Sequence, residues 1–235
     1  NAPAYVELLL ACWWAGLAAV PVNARLHARE IAYILDHSGA RVAFVSGATA
    51  EAGRACIAAQ GLPDVVIASA GISVGMDTAV FEDLEVLRRT FETNLFGTAA
   101  SFHPFVAGMR ARRSGTLVGI ASVAGYRGLP NALAYGPSKA AAINLAETLY
   151  LDLHPRGIGV CVVNPGFVRT PLTAQNDFEM PYLIEPEQAA EEIVQGLMRG
   201  EFEIHFPKRF SRMLKFLRLL PYRLYFPAIR RSTRL

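Results

Sequence analysis

A tyrosine and a lysine four residues apart are the side chains of this sequence best suited to proton transfer. Tyr135 and Lys139 lie in the run Tyr-Gly-Pro-Ser-Lys at the start of a predicted helix, which puts both side chains on one face, one turn apart. A phenol with an ordinary pKa of about 10 is a poor acid or base at neutral pH, and a neighbouring ammonium group favours the phenolate. The pair could therefore be a tuned acid/base, although a solvated pair without function has the same spacing.

Two further polar side chains lie where they could join this pair. Ser122 ends an apolar strand 13 residues before Tyr135, and Gly125 and Gly128 allow the loop between them to fold back toward the phenol. Asn94 lies inside a long predicted helix, where an amide is unfavourable unless its hydrogen bonds are met. Asn94 is therefore either a helix-bending residue satisfied by a backbone carbonyl or a member of the same site.

The surrounding sequence alternates between strands and helices, which indicates how these side chains are positioned. The predicted strands are 41–45, 65–68, 117–121, 160–163 and 201–207, and the predicted helices are 82–105, 138–153, 187–199 and 208–220. Apolar strands that alternate with helices of this length predict a parallel sheet with helices on both faces. Such sheets place their sites at the carboxyl ends of the strands, where residues 69–71, Ser122 and residues 164–170 fall.

These residues resemble a known family. In type, order and spacing, Asn94, Ser122, Tyr135 and Lys139 match the catalytic tetrad of the short-chain dehydrogenase/reductase family. Residues 68–71, Ala-Ser-Ala-Gly, resemble the family's Asn-Asn-Ala-Gly strand end, and residues 164–170, Asn-Pro-Gly-Phe-Val-Arg-Thr, resemble its Pro-Gly segment. The resemblance covers about residues 62–207.

The resemblance implies an α/β fold with a Rossmann-like doubly wound parallel sheet, here incomplete in its N-terminal half. It also implies an oxidoreductase that interconverts a secondary alcohol and a carbonyl by hydride transfer with NAD or NADP. Tyr135 would be the acid/base, Lys139 would lower its pKa and bind the nicotinamide ribose, Ser122 would hydrogen-bond the substrate oxygen, and Asn94 would position a relay water. The implied cofactor-binding residues are Ala70, Gly71, Tyr135, Lys139, Pro165, Gly166, Val168 and Thr170.

The N-terminal part departs from the family pattern. Only about 65 residues precede the segment that ends in Gly71, and they lack the family's Thr-Gly-x-x-x-Gly-x-Gly turn. The nearest candidate is residues 46–53 after the predicted strand 41–45, with Gly47 and Gly53 as the outer glycines. Glu51 replaces the middle glycine, where a carboxylate opposes the approach of a pyrophosphate. The alternative to an active enzyme is therefore an inactive truncated or fused chain that keeps the motif but cannot bind the dinucleotide.

Residues 1–46 resemble an early segment of the adenylate-forming acyl-CoA synthetase family, although that family's phosphate loop is absent from the sequence. This suggests three parts: an N-terminal segment over 1–61, a catalytic region over 62–207 and a basic tail over 208–235.

Composition narrows the class of protein. With 235 residues and 52% apolar content the chain can build a substantial core, and its three cysteines lack the spacing of a disulfide framework or a metal site. The longest apolar stretch, 8–22, is shorter than the roughly 20 residues that span a bilayer. We therefore expect a cytoplasmic protein without a bound metal, and family habit suggests a homo-oligomer.

The tail carries most of the positive charge. Residues 208–235 contain nine Lys or Arg and no Asp or Glu, which leaves a net charge of −6 on residues 1–207. Residues 208–220 form a predicted basic amphipathic helix, which either covers the substrate pocket or a partner subunit, or lies peripherally on an anionic membrane surface. Without a stacking platform or reading motif, nucleic acid is not expected as a partner. The expected partner is a small alcohol or carbonyl substrate, and membrane contact would suit a lipophilic one.

Overall fold

The computed structural model describes residues 42–45, 63–69, 71–73, 84–170, 173–175 and 180–233. Within these residues, five strands form one sheet in chain order, and each neighbouring pair is parallel. The strands are β1 (Val42–Val45), β2 (Val65–Ala68), β3 (Thr116–Ile120), β4 (Gly159–Pro165) and β5 (Glu203–Phe206). The predicted α/β class with a Rossmann-like parallel sheet is confirmed.

The first two strands are neighbours, an arrangement that any dinucleotide crevice of this fold requires. Val42 pairs with Val65, and Val45 pairs with Ala68, in parallel register. The sheet therefore reaches into the predicted N-terminal segment, whereas the division into three parts remains a prediction. Residues 46–53, with the candidate glycine turn, lie outside the described residues, as do residues 1–41 of the acyl-CoA synthetase resemblance.

Helices connect the strands of the described part. They are α1 (Leu84–Phe91), α2 (Gly97–Arg112), α3 (Tyr135–Leu153), α4 (Pro186–Met198), α5 (Lys208–Leu219) and α6 (Tyr222–Thr233). A five-residue π-helical segment, Glu92–Phe96, joins α1 to α2. The single helix predicted from the sequence is therefore continuous but contains a wider turn. At the start of α4, Pro186 follows a capping box in which Glu185 and Gln188 satisfy each other's backbone N–H groups.

The core has two layers because alternate residues of each strand point to opposite faces of the sheet. On one face, Val66, Leu117 and Val162 pack against α2, α3 and α5. On the other face, Ile67, Val118, Val163 and Ile204 pack against α4. Helices thus cover both faces, as the strand and helix alternation predicts.

The tail folds as two helices rather than one. Helix α5 confirms the predicted helix, and its Phe210 and Leu214 belong to the core layer formed with α2 and α3. Helix α6 was not predicted, because Pro221 precedes it and Pro227 lies inside it, and proline usually interrupts a helical pattern. In the described part of the chain, no helix is both long and apolar enough to cross a bilayer.

Candidate functional site

Asn94 lies in the π-helical segment and is completely buried. Its Oδ1 accepts a hydrogen bond of 2.8 Å from the backbone N–H of Ile72, and its Nδ2 donates to the carbonyl oxygen of Ile72 at 3.0 Å. The same Nδ2 also donates to Ser138 Oγ at 2.9 Å. π-Helical turns are rare and occur often at functional sites. Here the wide turn brings an amide to the chain that leaves β2, rather than to a carbonyl of its own helix.

Ser138 connects Asn94 to α3 and was not predicted from the sequence as a site residue. It is completely buried, and its hydroxyl donates to the carbonyl oxygen of Tyr135 at 2.8 Å. Its place between Tyr135 and Lys139 puts it on the inward face of the first turn of α3. The signal in the sequence was its position inside the Tyr-x-x-x-Lys run, but its partner lies 44 residues away.

Ser122 stands at the carboxyl end of β3, as predicted. Its Oγ accepts a hydrogen bond of 3.1 Å from the N–H of Ala124 and lies 3.4 Å from the carbonyl oxygen of Pro165. An interaction with the Ser122 hydroxyl also lowers the pKa of the Tyr135 phenol, so the two groups are neighbours. The serine thus ties together the ends of β3 and β4 and the start of α3.

Tyr135 and Lys139 meet at this point, one helical turn apart. The ammonium nitrogen of Lys139 lies 5.6 Å from the centre of the Tyr135 ring and donates a 2.9 Å hydrogen bond to the carbonyl oxygen of Ile120. Burial lowers the pKa of Lys139 to about 8. Burial also raises the pKa of Tyr135, although its hydrogen bond with Ser122 acts in the opposite direction. The direction for Tyr135 is opposite to the expected lowering by Lys139, because burial dominates.

Gly71 brings the chain after β2 close to the same cluster. A Cβ atom at this position would lie 3.3 Å from Lys139 Nζ and 3.8 Å from Asn94 Oδ1. The four predicted catalytic residues therefore share one site at the carboxyl edge of the sheet, and Gly71 borders it. Ala70 lies outside the described residues.

The segment after β4 forms the other side of the site. Val168 and Ile184 form an isolated parallel bridge, and the backbone N–H of Arg169 donates to the carbonyl oxygen of Ile184 at 2.9 Å. The N–H of Thr170 donates to the hydroxyl of Thr173 at 3.0 Å. Thr173 was not predicted as a site residue, yet it fixes the backbone of the predicted cofactor segment.

Gly166 has a packing role that the sequence resemblance does not reveal. A Cβ atom there would lie 3.0 Å from the Phe210 ring and 3.1 Å from both the Phe206 carbonyl oxygen and the Pro207 ring. The turn after β4 therefore lies directly against the junction of β5 and α5. Pro165 contributes its carbonyl oxygen to Ser122 at 3.4 Å.

Four consecutive residues fasten the loop that carries Ser122 to the rest of the molecule. A Cβ on Gly125 would lie 2.7 Å from the carbonyl carbon of Lys139, so this loop packs directly on α3. The hydroxyl of Tyr126 donates to Glu203 Oε1 at 2.6 Å. Arg127 donates to three carbonyl oxygens at the end of α5, and the carbonyl oxygen of Gly128 accepts from the hydroxyl of Tyr225 at 2.5 Å.

Glu203 is the centre of a polar cluster beneath this loop. It accepts hydrogen bonds from Tyr126, from Asn164 Nδ2 at 2.8 Å and from Lys215 at 2.5 Å. Burial alone would raise the pKa of Glu203, but the three donors together lower it. The cluster therefore holds a carboxylate that joins the Ser122 loop to β4, β5 and α5.

This arrangement is suited to moving a proton to or from an oxygen atom bound beside these groups. The hydroxyl groups of Ser122 and Tyr135 are neighbours beside a buried ammonium group. Among the described residues, no group of three His, Cys, Asp or Glu side chains is placed to hold a metal ion.

Comparison with known proteins agrees with this geometry. The sequence model of the short chain dehydrogenase family matches residues 42–180. The chain belongs to this family of oxidoreductases. The match begins at β1 and includes the segment between β1 and β2. The division of the chain into three parts remains a prediction. The resemblance of residues 1–46 to acyl-CoA synthetases remains an interpretation.

Two relatives show the range of similarity. An uncharacterized oxidoreductase of Myxococcus xanthus is 39% identical over 184 residues, which are 78% of this chain and 72% of that protein. A 3-ketodihydrosphingosine reductase of Bos taurus is 33% identical over 59% of this chain and 45% of that protein. The chain therefore spans less than half of the bovine reductase.

Solved structures share the fold. A short-chain dehydrogenase from Streptomyces avermitilis has a TM-score of 0.64 at 21% identity, covering 99% of this chain and 85% of that chain. A short-chain dehydrogenase from Sphingobium yanoikuyae, solved in complex with NADPH, has a TM-score of 0.60 at 22% identity, covering 78% of this chain and 76% of that chain. These likenesses concern the fold.

Proposed function

We propose that this chain interconverts a secondary alcohol and a carbonyl compound by hydride transfer with NAD or NADP, with Tyr135 as the acid/base. The observation that carries the proposal is the convergence of Asn94, Ser122, Tyr135 and Lys139 at the carboxyl edge of the parallel sheet. The family match and the relatives described as reductases support the same reaction class.

The described residues fit the nicotinamide half of such a cofactor. Lys139 donates one hydrogen bond to Ile120, and its ammonium group has no second acceptor among the described residues, which leaves donors for ribose hydroxyls. Gly71 has no side chain to fill the space over this ammonium group. When bound, the nicotinamide supplies or accepts the hydride. Lys139 and Gly71, with the backbone from Pro165 to Thr170, would hold it.

The two hydroxyl groups would manage the proton. Because burial raises the pKa of Tyr135, its phenol is protonated at neutral pH and can donate to a carbonyl oxygen. Ser122 offers a second donor to the same oxygen and orients the phenol. In the reverse direction Tyr135, in its deprotonated form, would take the proton of the alcohol.

Asn94 acts on the site through its neighbours in this proposal. Both of its N–H donors are used by Ile72 and Ser138, so it holds the chain after β2 against α3. It is a positioning residue for Gly71 and for the first turn of α3. The relay water implied by the family resemblance remains a prediction.

A lipophilic substrate is the class we propose. Aromatic rings border the segment after β4: Phe167 stacks on Phe210 with ring centres 5.6 Å apart, and Tyr182 lies 6.0 Å from Phe210. Tyr182 is half exposed and offers apolar surface beside the site. By contrast, Tyr126 directs its hydroxyl to Glu203. In a ketone series, kcat/KM should rise about fourfold for each added buried CH₂ group.

The alternative of an inactive chain is not favoured, because β1 lies beside β2 and the four site residues converge. Titration of the full chain with NADH and NADPH, followed by calorimetry, separates the two possibilities. Saturable binding of either dinucleotide is expected, and the absence of both would overturn the proposed function.

The role of Tyr135 is tested with the variant Tyr135→Phe. The expected loss of kcat for carbonyl reduction is about a hundred- to ten-thousandfold, because a general acid contributes roughly that much. The dinucleotide Kd should remain near that of the wild type. Tyr150→Phe, in the last turn of α3, is the matched control and should retain activity. Undiminished turnover by Tyr135→Phe would reject the assignment.

A further inference from the structure

The two tail helices expose an unusual amount of apolar surface. Among the described residues, eleven large apolar side chains are exposed, and six of them lie between residues 213 and 226. These six are Met213, Phe216, Leu219, Tyr222, Leu224 and Phe226. Leu219 is 80% exposed and Phe216 is 64% exposed. Concentrated exposure of this kind indicates an interaction surface rather than the scattered apolar residues of an ordinary exterior.

The same two helices expose only positive charge. Six arginines of the described tail are exposed: Arg209, Arg212, Arg218, Arg223, Arg230 and Arg231. Among the described residues, Lys208 and Lys215 of the tail form ion pairs with carboxylates, whereas these six arginines form none. Since residues 208–235 contain no Asp or Glu, nothing within the tail neutralises them.

On α5 the exposed apolar and basic side chains share one stripe. Arg209, Arg212, Met213, Phe216 and Leu219 recur at helical spacing and are all exposed. The opposite face, with Phe210 and Leu214, lies in the core. The apolar face of α5 that the sequence suggested for membrane contact is therefore packed into the core. A different surface, which mixes arginine and apolar side chains, faces solvent.

This surface is held in place by the folded molecule. Arg127 bonds the last carbonyl oxygens of α5 and stacks on Tyr222 and Tyr225 of α6, with its guanidinium carbon 3.8 Å from the Tyr225 ring centre. Tyr222 in turn stacks on Phe226 with ring centres 5.5 Å apart. The exposure of the apolar residues thus belongs to the docked tail and not to a detached one.

We propose that the exposed faces of α5 and α6 bind the surface of a bilayer that contains anionic phospholipids. Phe216, Leu219 and Phe226 would enter the boundary between headgroups and acyl chains, while the arginines bond lipid phosphates. A second copy of the chain is a poorer occupant, because a symmetric contact would bring the same arginines face to face. A nucleic acid would satisfy the arginines but would leave the aliphatic side chains without an apolar partner. The proposal is independent of the proposed reaction.

Vesicle sedimentation of the full chain tests this surface. Vesicles of phosphatidylcholine with about one third phosphatidylserine should bind the chain, and vesicles of phosphatidylcholine alone should bind it much more weakly. Binding to the anionic vesicles should fall as salt rises from about 50 mM to about 500 mM, because salt screens the attraction. Equal binding to both kinds of vesicle, or binding to neither, would overturn the proposal.

Two variants separate the apolar and the charged contributions. Phe216→Ser with Leu219→Ser removes exposed apolar side chains, and Arg212→Gln, Arg223→Gln, Arg230→Gln and Arg231→Gln together remove four charges. The charge variant should bind more than about a hundredfold more weakly, since each arginine near an anionic surface contributes about fivefold. The apolar variant should also weaken binding, and thermal unfolding should show that both variants remain folded.

The matched controls change the same residue types on other surfaces. Leu151→Ser with Met198→Ser removes side chains that are 74% and 83% exposed outside the tail. Arg89→Gln with Arg110→Gln removes exposed charges from α1 and α2. Both controls should bind vesicles like the wild type, and equal loss with control and tail variants would refute the tail assignment. Gel filtration that shows a dimer dissociated by the apolar tail variant, without vesicle binding, would assign the surface to a second copy instead.

Discussion

Lys139 and Tyr135 are both shifted toward their uncharged forms by burial. The pKa of Lys139 falls to about 8, and the pKa of Tyr135 rises. An isolated ammonium group is costly to bury, and the structure gives Lys139 one carbonyl partner, Ile120. The site therefore stores a proton on the phenol at neutral pH, while the lysine titrates close to neutrality.

The shift of Lys139 predicts a pH dependence of stability. Its folded pKa of about 8 lies below the ordinary lysine value of 10.5, so the unfolded chain binds more protons between these two values. The free energy of unfolding should therefore rise with pH across that window by up to about 3 kcal/mol on account of this residue. Lys139→Met should lack this rise. Urea unfolding of both proteins at several pH values from 7 to about 10.5 measures the difference.

All other titrating groups are common to the two proteins, so only the difference between their profiles is diagnostic. Parallel profiles would show that Lys139 keeps an ordinary pKa in the folded chain. If the free energy of unfolding of the wild type falls relative to that of Lys139→Met as pH rises, the pKa shift has the opposite direction.

The buried amide of Asn94 should contribute strongly to the stability of the fold. Asn94→Ala leaves the backbone groups of Ile72 and the hydroxyl of Ser138 without their partner, and should lower the free energy of unfolding by about 2–4 kcal/mol. Ser101→Ala is the matched control, because its buried hydroxyl bonds only Gly97 within its own helix. Denaturant unfolding should show a small change for the control. Similar losses for both variants would contradict the clamp between β2 and α3.

At the scale of elements, periodicity was sufficient for most strands and helices. The strand 65–68, the start of α4 at Pro186 and the helix from residue 208 follow from apolar spacing and capping residues. The π-helical turn could not be predicted, since Glu92–Phe96 carry no local signal for a wider turn. Its cause is tertiary: Asn94 bonds Ile72, which lies 22 residues earlier in the chain. The partners of Ser138 and Glu203 are also distant in the chain, with Asn94 44 residues from Ser138 and Tyr126 77 residues from Glu203. Spacing could therefore identify the tetrad but not what holds it in place.

The two glycines of the Ser122 loop give a matched pair of variants. Gly125→Ala places a methyl group 2.7 Å from the Lys139 backbone, which forces the loop away from α3. The free energy of unfolding should fall by about 1–3 kcal/mol, and kcat should fall because Ser122 moves with the loop. Gly128→Ala meets nothing within 4 Å and should change neither quantity much. Unfolding and turnover assays on both variants provide the comparison, and equal behaviour would reject the close packing of this loop.

At the scale of the whole molecule, the tail is joined to the candidate site. The Ser122 loop, β5 and the two tail helices are joined through Glu203, Arg127 and the Tyr225 hydroxyl. Helix α5 also covers part of one face of the core through Phe210 and Leu214. A surface bound by α5 and α6 would therefore be coupled mechanically to the loop that aligns Ser122 with Tyr135.

Arg127 is the residue on which this coupling depends, because its guanidinium group spans both helices. It bonds the carbonyl oxygens of Leu217, Arg218 and Leu220 and stacks on two tyrosine rings of α6. Arg127→Leu removes these charge-assisted bonds and should lower the free energy that holds the tail docked by about 2–3 kcal/mol. Backbone amides in residues 222–233 should then exchange hydrogen at least about tenfold faster, as measured by mass spectrometry.

Arg127→Lys should give a weaker version of the same effect, since an ammonium group lacks the planar fork that bridges several carbonyl groups. The exposed Arg223, changed to Leu, is the control and should leave exchange in α6 unaltered. If exchange in residues 222–233 is as slow in Arg127→Leu as in the wild type, α6 is held by its buried residues Tyr225 and Ile229 instead, and Arg127 does not carry the link to the Ser122 loop.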